Sequence, residues 1–174
     1  TFALDTYGSD PCACFQLKGA NACSPSETEL NIRMHKAISI IQFKVEGQII
    51  KEHPEFCLED RNLLHRIDLD KGTILLEGGE QEMLDSHFPT MDPADPYRLT
   101  AEENAIMERL AAAFQNCEKL QQHMRFLLAK GSLYKVYNGN LLYHGCIPLN
   151  RDGSFKAVDI YGQNYKGKSL YECL

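Results

Sequence analysis

The chain has 174 residues, of which 44% are apolar, and it carries a formal net charge of −6 at pH 7. This length is enough to bury the core of a globular domain, and the acidic balance excludes a diffuse basic surface for nucleic acid or anionic membrane. No apolar stretch approaches the roughly 20 residues that a membrane helix needs. The sequence therefore predicts a soluble, cytoplasmic protein that holds any phosphate group through ions or a few placed cations.

Seven cysteines are spread through the chain, at positions 12, 14, 23, 57, 117, 146 and 173. An odd number in a chain of this size does not resemble a secreted disulfide framework, so reduced thiols are the simpler interpretation. Cys12, Cys14 and Cys23 raise the alternative of zinc, but no second pair stands at ligand spacing. Because Thr1 is not an initiator methionine, we also expect the chain to be a piece of a larger protein.

Two amphipathic helices are predicted. Residues 1–25 are rich in helix breakers and form a loop-rich connection after a short helix or strand. Ser26 to Glu29 is typical of a capping box, and apolar residues then recur at helical spacing until Pro54 ends the helix. The predicted apolar stripe consists of Leu30, Met34, Ala37, Ile38, Ile41, Val45 and Ile49.

The second helix begins at a capping box, Thr100 to Glu103, and Gly131 closes it as a C′ residue. An irregular, proline-rich segment, residues 87–99, precedes it. The apolar side of this helix is predicted to carry Ile106, Leu110, Ala113, Phe114, Cys117, Leu120, Met124, Leu127 and Leu128.

Strands are predicted between and after the helices. Apolar and polar residues alternate with a period of two over residues 63–84, which is typical of β-strands. Turns at Asp70 to Gly72 and at Gly78-Gly79 divide this stretch, which indicates a three-stranded meander. Asn138-Gly139 is typical of a type I′ turn that pairs Leu133–Tyr137 with Asn140–Tyr143. Another alternating segment, residues 155–161, leads to a short hairpin near Tyr165. The expected fold class is α+β.

The candidate site residues follow the second helix. His144 emerges at the end of the hairpin strand, and Gly145 has no Cβ to obstruct an ion or phosphate. A single histidine does not define a metal site. Arg125 and Lys130 lie in the last turns of the helix. Their positive charges either stabilise the negative end of the helix dipole or contact an anionic substrate. His35, His53 and His123 are interpreted as solvated or helix-end histidines, with metal ligation as the less favoured alternative.

Two longer stretches resemble a known family. Gln121 to Tyr134, which leads into Tyr137 to Pro148, is similar to the class 3 fructose-1,6-bisphosphatases of Firmicutes and related bacteria. The first helix, Met34 to Lys44, shares the likeness, which extends over essentially the whole chain. The resemblance implies a bacterial hydrolase of gluconeogenesis that converts fructose 1,6-bisphosphate to fructose 6-phosphate and phosphate.

The resemblance also implies a calcineurin-like metallophosphoesterase with a dinuclear manganese site, in which two ions activate a bridging water. Of that family's five ligand motifs only the histidine–glycine motif occurs here, so His144 is implied as a metal ligand and the fragment alone is expected to be inactive. The organisation implied is a connection (1–25), a helix–meander–helix insert (26–130) and hairpins (131–174) that join a β-sandwich in the parent. Alternatively, the insert is an interaction or regulatory module. The sequence leaves open whether the protein forms a homo-oligomer.

Overall fold

A computed structural model describes residues 1–16, 18 and 24–174. Cys23, one of the three cysteines of the zinc alternative, lies outside the described residues. The chain divides into two compact units, Thr1–Leu110 and Ala111–Leu174. Helices and small antiparallel sheets occur in both, which confirms the α+β fold class. Among the described residues, no helix is long and apolar enough to cross a membrane. The division into three sequence segments stays a prediction.

The first unit is organised around one long helix. Helix α1, Phe2–Tyr7, is followed by helix α2, Pro25–Glu52, and short 3₁₀ turns continue from Pro54. The end of α2 confirms the prediction from Pro54. Its start was predicted wrongly, because the cap is Ser24: the Ser24 hydroxyl accepts from the Glu27 amide, and the Glu27 carboxylate accepts from the Ser24 amide. Pro25 suits the first helical position because it lacks an N–H that would need a partner there.

The predicted apolar stripe of α2 is partly wrong. Ala37 and Ile41 are buried as expected, whereas Met34, Ile38 and Ile49 are exposed. The buried face instead contains two lysines, since the residues that α2 buries are Ile32, Lys36, Ala37, Ile40, Ile41, Lys44, Gly47 and Ile50. Lys36 and Lys44 are buried because acidic partners reach them, which apolar periodicity does not reveal.

The meander is confirmed. Its strands are β1, β2 and β3, paired antiparallel in chain order, with the bounds Ile67–Asp68, Thr73–Leu76 and Gly79–Glu82. Gly72 and Gly79 have φ of 67° and 99°, which is where the sequence placed the turns. A cluster of Leu64, Met91 and Tyr97 forms one part of the core of this unit, and Ala3, Tyr7 and Ala37 form another.

The second long helix is two helices. Helix α3, Ala101–Gln115, has the predicted capping box between Thr100 and Glu103, and it ends before Cys117. Helix α4, Glu118–Lys130, then begins. Asn116 supports the break, because its side-chain amide donates to the Ala112 carbonyl and competes with a continuing helix. The boundary between the two units lies within α3.

Gly131 ends α4, but it is not the left-handed C′ residue that was predicted. Its φ of −73° is an ordinary extended value, and its amide donates to the Leu127 carbonyl oxygen. A Cβ at this position would collide with the same oxygen. Glycine is therefore required here for close approach of the backbone, and not for a positive φ.

Two hairpins and a short helix complete the second unit. Strands β4 and β5 are Tyr134–Tyr137 and Asn140–Tyr143, and Asn138 and Gly139 have φ of 48° and 74°, as a type I′ turn requires. Strands β6 and β7 are Val158–Ile160 and Gln163–Tyr165, so the strand predicted over residues 155–161 is shorter than expected. Phe155 forms only an isolated bridge with Leu149. Helix α5 is Lys168–Cys173.

Candidate functional site

His144 lies immediately after strand β5, where its backbone is fixed from two sides. Its amide donates to the Leu133 carbonyl over 2.9 Å, which extends the hairpin by one hydrogen bond. Its own carbonyl accepts from the Tyr171 hydroxyl over 3.2 Å. The side chain of His144 is exposed, so the hairpin presents the imidazole to solvent from an anchored backbone.

Gly145, directly after His144, has a positive φ. Its φ is 74°, a left-handed conformation that glycine adopts without steric cost. No atom lies within 4 Å of the position that a Cβ would take. The open space beside His144 that the sequence predicted is therefore present, and a ligand has room to approach.

The described residues do not complete a metal site. Nowhere in residues 1–16, 18 and 24–174 do three or more histidine, cysteine, aspartate or glutamate side chains come together as a metal-binding group. A divalent ion held by one exposed imidazole lacks the remaining ligands that such ions need. The role of His144 as a metal ligand stays a prediction, and the described residues form no complete ligand set around it.

Arg125 and Lys130 both lie on the surface of α4. Each is exposed, and within Ala111–Leu174 the structure shows no ion pair or hydrogen bond that joins either side chain to His144. Their role toward an anionic substrate stays a prediction.

An apolar groove adjoins His144, and sequence reasoning did not find it. One face of the β4–β5 hairpin forms its first wall, because Tyr134 is paired with Tyr143 and Val136 with Leu141. The groove has a volume of about 440 Å³, and its opposite wall consists of Ile147, Phe155, Gly167, Lys168 and Tyr171. The Tyr171 ring lies edge-on to Tyr134 and to Tyr143, each at a centroid distance of 6.4 Å. Its hydroxyl is the group that contacts His144.

A second cluster, in the first unit, contains buried charges. Lys36 Nζ lies 2.5 Å from Asp10 Oδ2 and 2.6 Å from Asp85 Oδ1. His87 Nδ1 lies 2.6 Å from the same oxygen of Asp10, and the Cys12 amide donates to the other oxygen over 2.7 Å. Burial opposes ionisation of the Asp10 carboxyl, but the hydrogen bonds from Lys36, Cys12 and His87 outweigh it and hold the pKa of Asp10 well below its ordinary range.

The neighbouring groups respond to the same environment. Burial, with a smaller contribution from the Glu103 and Asp10 charges, raises the pKa of Tyr7 to about 12. Burial and the Asp10 charge also raise the pKa of the Cys12 thiol. These directions keep Tyr7 and Cys12 protonated at neutral pH, so neither is a nucleophile, and Asp10 is committed to Lys36 and His87. The cluster connects segments of the first unit rather than presenting a reactive group.

Lys44 forms a similar buried pair. Its ammonium donates to Glu103 Oε2 over 2.8 Å and to the Thr90 carbonyl over 2.6 Å. Lys36 and Lys44 are eight residues apart on one face of α2. That spacing places both lysines on the same face as buried apolar residues, which is a signal in the sequence for their burial, but it does not identify their acidic partners.

Comparison with known proteins identifies the family of the chain. The family model described as Firmicute fructose-1,6-bisphosphatase matches residues 1–174. The chain belongs to this family. No solved structure matches the chain significantly.

Several curated members of the Firmicute fructose-1,6-bisphosphatase family are identical to this chain at about half of the aligned positions. A "fructose-1,6-bisphosphatase class 3" of Clostridium novyi is 53% identical over 174 residues, which are 99% of this chain and 26% of that protein. The protein of the same name from Listeria innocua is 51% identical over 173 residues, and that from Parabacteroides distasonis is 47% identical over 175 residues. The alignments cover 98% and 99% of this chain and 26% of each relative. The chain thus spans about a quarter of the length of the relatives it matches.

Proposed function

We propose that this chain is part of a fructose-1,6-bisphosphatase that hydrolyses fructose 1,6-bisphosphate to fructose 6-phosphate and phosphate in bacterial gluconeogenesis. The observation that supports this most directly is the match of the family model to residues 1–174. The sugar bisphosphate substrate, the cytoplasmic location and the class of phosphoric monoester hydrolase belong to the same proposal.

His144 is the proposed metal ligand of this part of the enzyme. The hairpin turn and the Tyr171 hydroxyl hold its backbone, while its imidazole is exposed beside the open space at Gly145. Manganese is the metal that the family resemblance implies, and when bound it supplies Lewis acidity toward the phosphoryl oxygens. The other ligands come from residues outside this chain.

The test uses the full-length protein with manganese and fructose 1,6-bisphosphate, followed by phosphate release. We expect His144→Ala to lower kcat/KM at least 100-fold. His53→Ala, which removes an exposed histidine at the C-terminal end of α2, is the matched control and should retain normal activity. Absence of phosphate release from the unmodified protein would contradict the proposed reaction, and full activity of His144→Ala would contradict the ligand assignment.

Arg125 and Lys130 are proposed to attract the anionic substrate. Replacing each by alanine should raise KM several-fold with a smaller change in kcat, because a cation that binds substrate and transition state equally affects binding alone. An unchanged KM in both variants would remove them from the site.

One observation favours a second role for the first unit, as an interaction or regulatory module. Met34 and Ile38 of α2 are exposed, and together with Leu110 they line an apolar groove of about 450 Å³. An exposed apolar face of this kind is typical of a contact surface for the catalytic core or a neighbouring subunit. Met34→Glu should then change the oligomeric state or regulation of the full-length protein, as measured by light scattering and kinetics. An unchanged mass and unchanged kinetics would contradict this role.

A further inference from the structure

A cavity in the first unit is lined by helix α2 and by the β1–β3 meander, and we call it the meander cavity. Its volume is about 410 Å³, within the range of roughly 300–1,000 Å³ that is typical of small-molecule sites. The 3₁₀ turns after α2 and the segment before α3 complete its wall. Apolar and aromatic side chains predominate in the lining, among them Phe43, Leu64, Ile67, Ile74, Phe88 and Tyr97.

One polar side chain is buried in this wall without a partner. Asn62 lines the cavity and is only 9% exposed. Its backbone amide donates to the Glu59 carbonyl over 3.1 Å, but no hydrogen bond joins its side-chain amide to another group in the described part of the chain. A buried amide without a partner is unfavourable, so a molecule that pairs with Asn62 gains more than one that only fills the space.

The charges at the cavity exclude a strongly anionic ligand. Arg61 and Glu46 are the only charged residues in the lining that the structure describes, and they pair with each other, with Nη2 of Arg61 2.6 Å from Oε1 of Glu46. A phosphate or sugar phosphate would find no free cation there, and its charge would face apolar walls. The ligand that fits is therefore uncharged.

The single free amide also separates a small molecule from a polypeptide. Every residue of a polypeptide brings a backbone N–H and a C=O that need partners when they are buried. The wall of the meander cavity offers only the side chain of Asn62, which can donate one hydrogen bond and accept another in the same plane. That pair of bonds matches one amide group on an otherwise apolar ligand.

We propose that the meander cavity binds a small uncharged molecule that has an apolar ring system and one amide group, with about a dozen non-hydrogen atoms in all. The amide pairs with Asn62, while the ring packs among Ile74, Phe88 and Tyr97. This site goes beyond the proposed phosphatase reaction, which uses none of these residues.

Three compounds that share an indole ring test the proposal by ligand-observed NMR titration of the full-length protein. Indole-3-acetamide carries the amide, 3-methylindole has no polar substituent, and indole-3-acetate is anionic at neutral pH. We expect indole-3-acetamide to bind with a Kd of about 1 mM or lower. The other two should bind about tenfold more weakly, because one lacks the partner for Asn62 and the other buries a charge. Equal binding of the three compounds, or no binding of indole-3-acetamide, would overturn the proposal.

Two variants of the full-length protein locate the site. Asn62→Leu keeps the size of the side chain and removes the unpaired amide, so it should fold, weaken indole-3-acetamide about tenfold and leave 3-methylindole unchanged. Ile74→Phe fills the cavity and should weaken both compounds at least tenfold. Leu75→Phe is the matched control: Leu75 is the next residue of β2, is 60% exposed and lies outside the lining, so binding should stay normal.

Unchanged binding of indole-3-acetamide to Asn62→Leu or to Ile74→Phe would overturn the proposal, because the compound would then lie elsewhere on the protein. The comparison of the three compounds uses the unmodified protein, so it decides the ligand class even where a variant does not fold. Neither measurement needs turnover of fructose 1,6-bisphosphate.

Discussion

Lys44 and Glu103 form an ion pair in which neither side chain is exposed to solvent, with Nζ 2.8 Å from Oε2. Glu103 also closes the capping box at the start of α3, where its carboxylate accepts from the Thr100 amide. One carboxylate thus joins the middle of α2 to the start of α3. A buried charge that loses its partner is strongly unfavourable, so the pair governs how these two helices tolerate substitution.

Replacing Lys44 by methionine should lower the free energy of unfolding by about 3–5 kcal/mol, because it leaves the Glu103 carboxylate buried and unpaired. Urea unfolding of the 174-residue chain measures this. The double variant Lys44→Met/Glu103→Gln removes both charges and should recover part of the loss. Lys71→Met is the control: Lys71 pairs with Asp68 and Glu80 at the surface, and its loss should cost less than about 1 kcal/mol. A double variant no more stable than Lys44→Met would contradict the prediction.

Acid should weaken the first unit through Asp10. Its pKa in the folded chain lies far below the ordinary value of 3.8, so the folded state holds fewer protons on this group than the unfolded state near that pH. The contribution of Asp10 to stability is therefore complete above about pH 5 and is lost as the pH falls through and below the ordinary value.

Asp10→Asn should consequently be less stable than the unmodified chain at pH 7 and show a flatter decline in the free energy of unfolding below pH 5. Thermal unfolding at several pH values measures both. Asp60→Asn, at an exposed carboxylate, is the control and should keep the original slope. Parallel curves for Asp10→Asn and the unmodified chain would refute this account.

Gly47→Ala should destabilise the chain, although Gly47 lies inside helix α2, where alanine would ordinarily be stabilising. Alanine normally favours a helix interior by about 1 kcal/mol over glycine. Here, however, the added methyl would overlap the ring of Tyr97, which is buried and whose hydroxyl is bonded to His65. Overpacking of this kind costs about 1–3 kcal/mol, so a lower Tm is expected. Gly78→Ala, where a Cβ would meet no atom within 4 Å, should leave Tm nearly unchanged. A higher Tm for Gly47→Ala would contradict the prediction.

The isolated chain should not bind manganese tightly and should not release phosphate from fructose 1,6-bisphosphate. The reason is that His144 stands alone: the described residues bring no three candidate ligands together. Titration calorimetry with manganese and a phosphate assay test the two parts separately. A tight isotherm would mean that the chain supplies a complete site, and phosphate release would mean that it is sufficient for turnover.

Local chemistry predicted the turns and hairpins well. The conformations of Asn138-Gly139, Gly72 and Gly79 depend on residues next to one another in the chain, so their φ values could be anticipated. The end of α2 at Pro54 is of the same kind, because proline lacks the amide that the helix would use. The start of α2 was misplaced by two residues, since two overlapping capping patterns compete there and Pro25 decides between them.

Ion pairs between residues far apart in the chain could not be predicted from the sequence. Lys36 is buried by Asp10 and Asp85, which are 26 and 49 residues away, and Lys44 by Glu103, which is 59 residues away. A helical pattern of apolar residues cannot indicate partners at those distances. The same limit applies to the candidate site. The position of His144 after a strand was predictable, but its contact with Tyr171, 27 residues further on, was not.

The two buried lysines also determine how α2 is rotated about its own axis. Apolar residues occur all round this helix, with Ile40 and Ile41 inside and Met34, Ile38 and Phe43 outside. Hydrophobicity alone would therefore accept several rotations of nearly equal energy. Only one rotation brings both ammonium groups to their carboxylates, because any other leaves at least one charge unpaired in the interior. The ion pairs thus select a single orientation of a helix that its apolar residues leave degenerate.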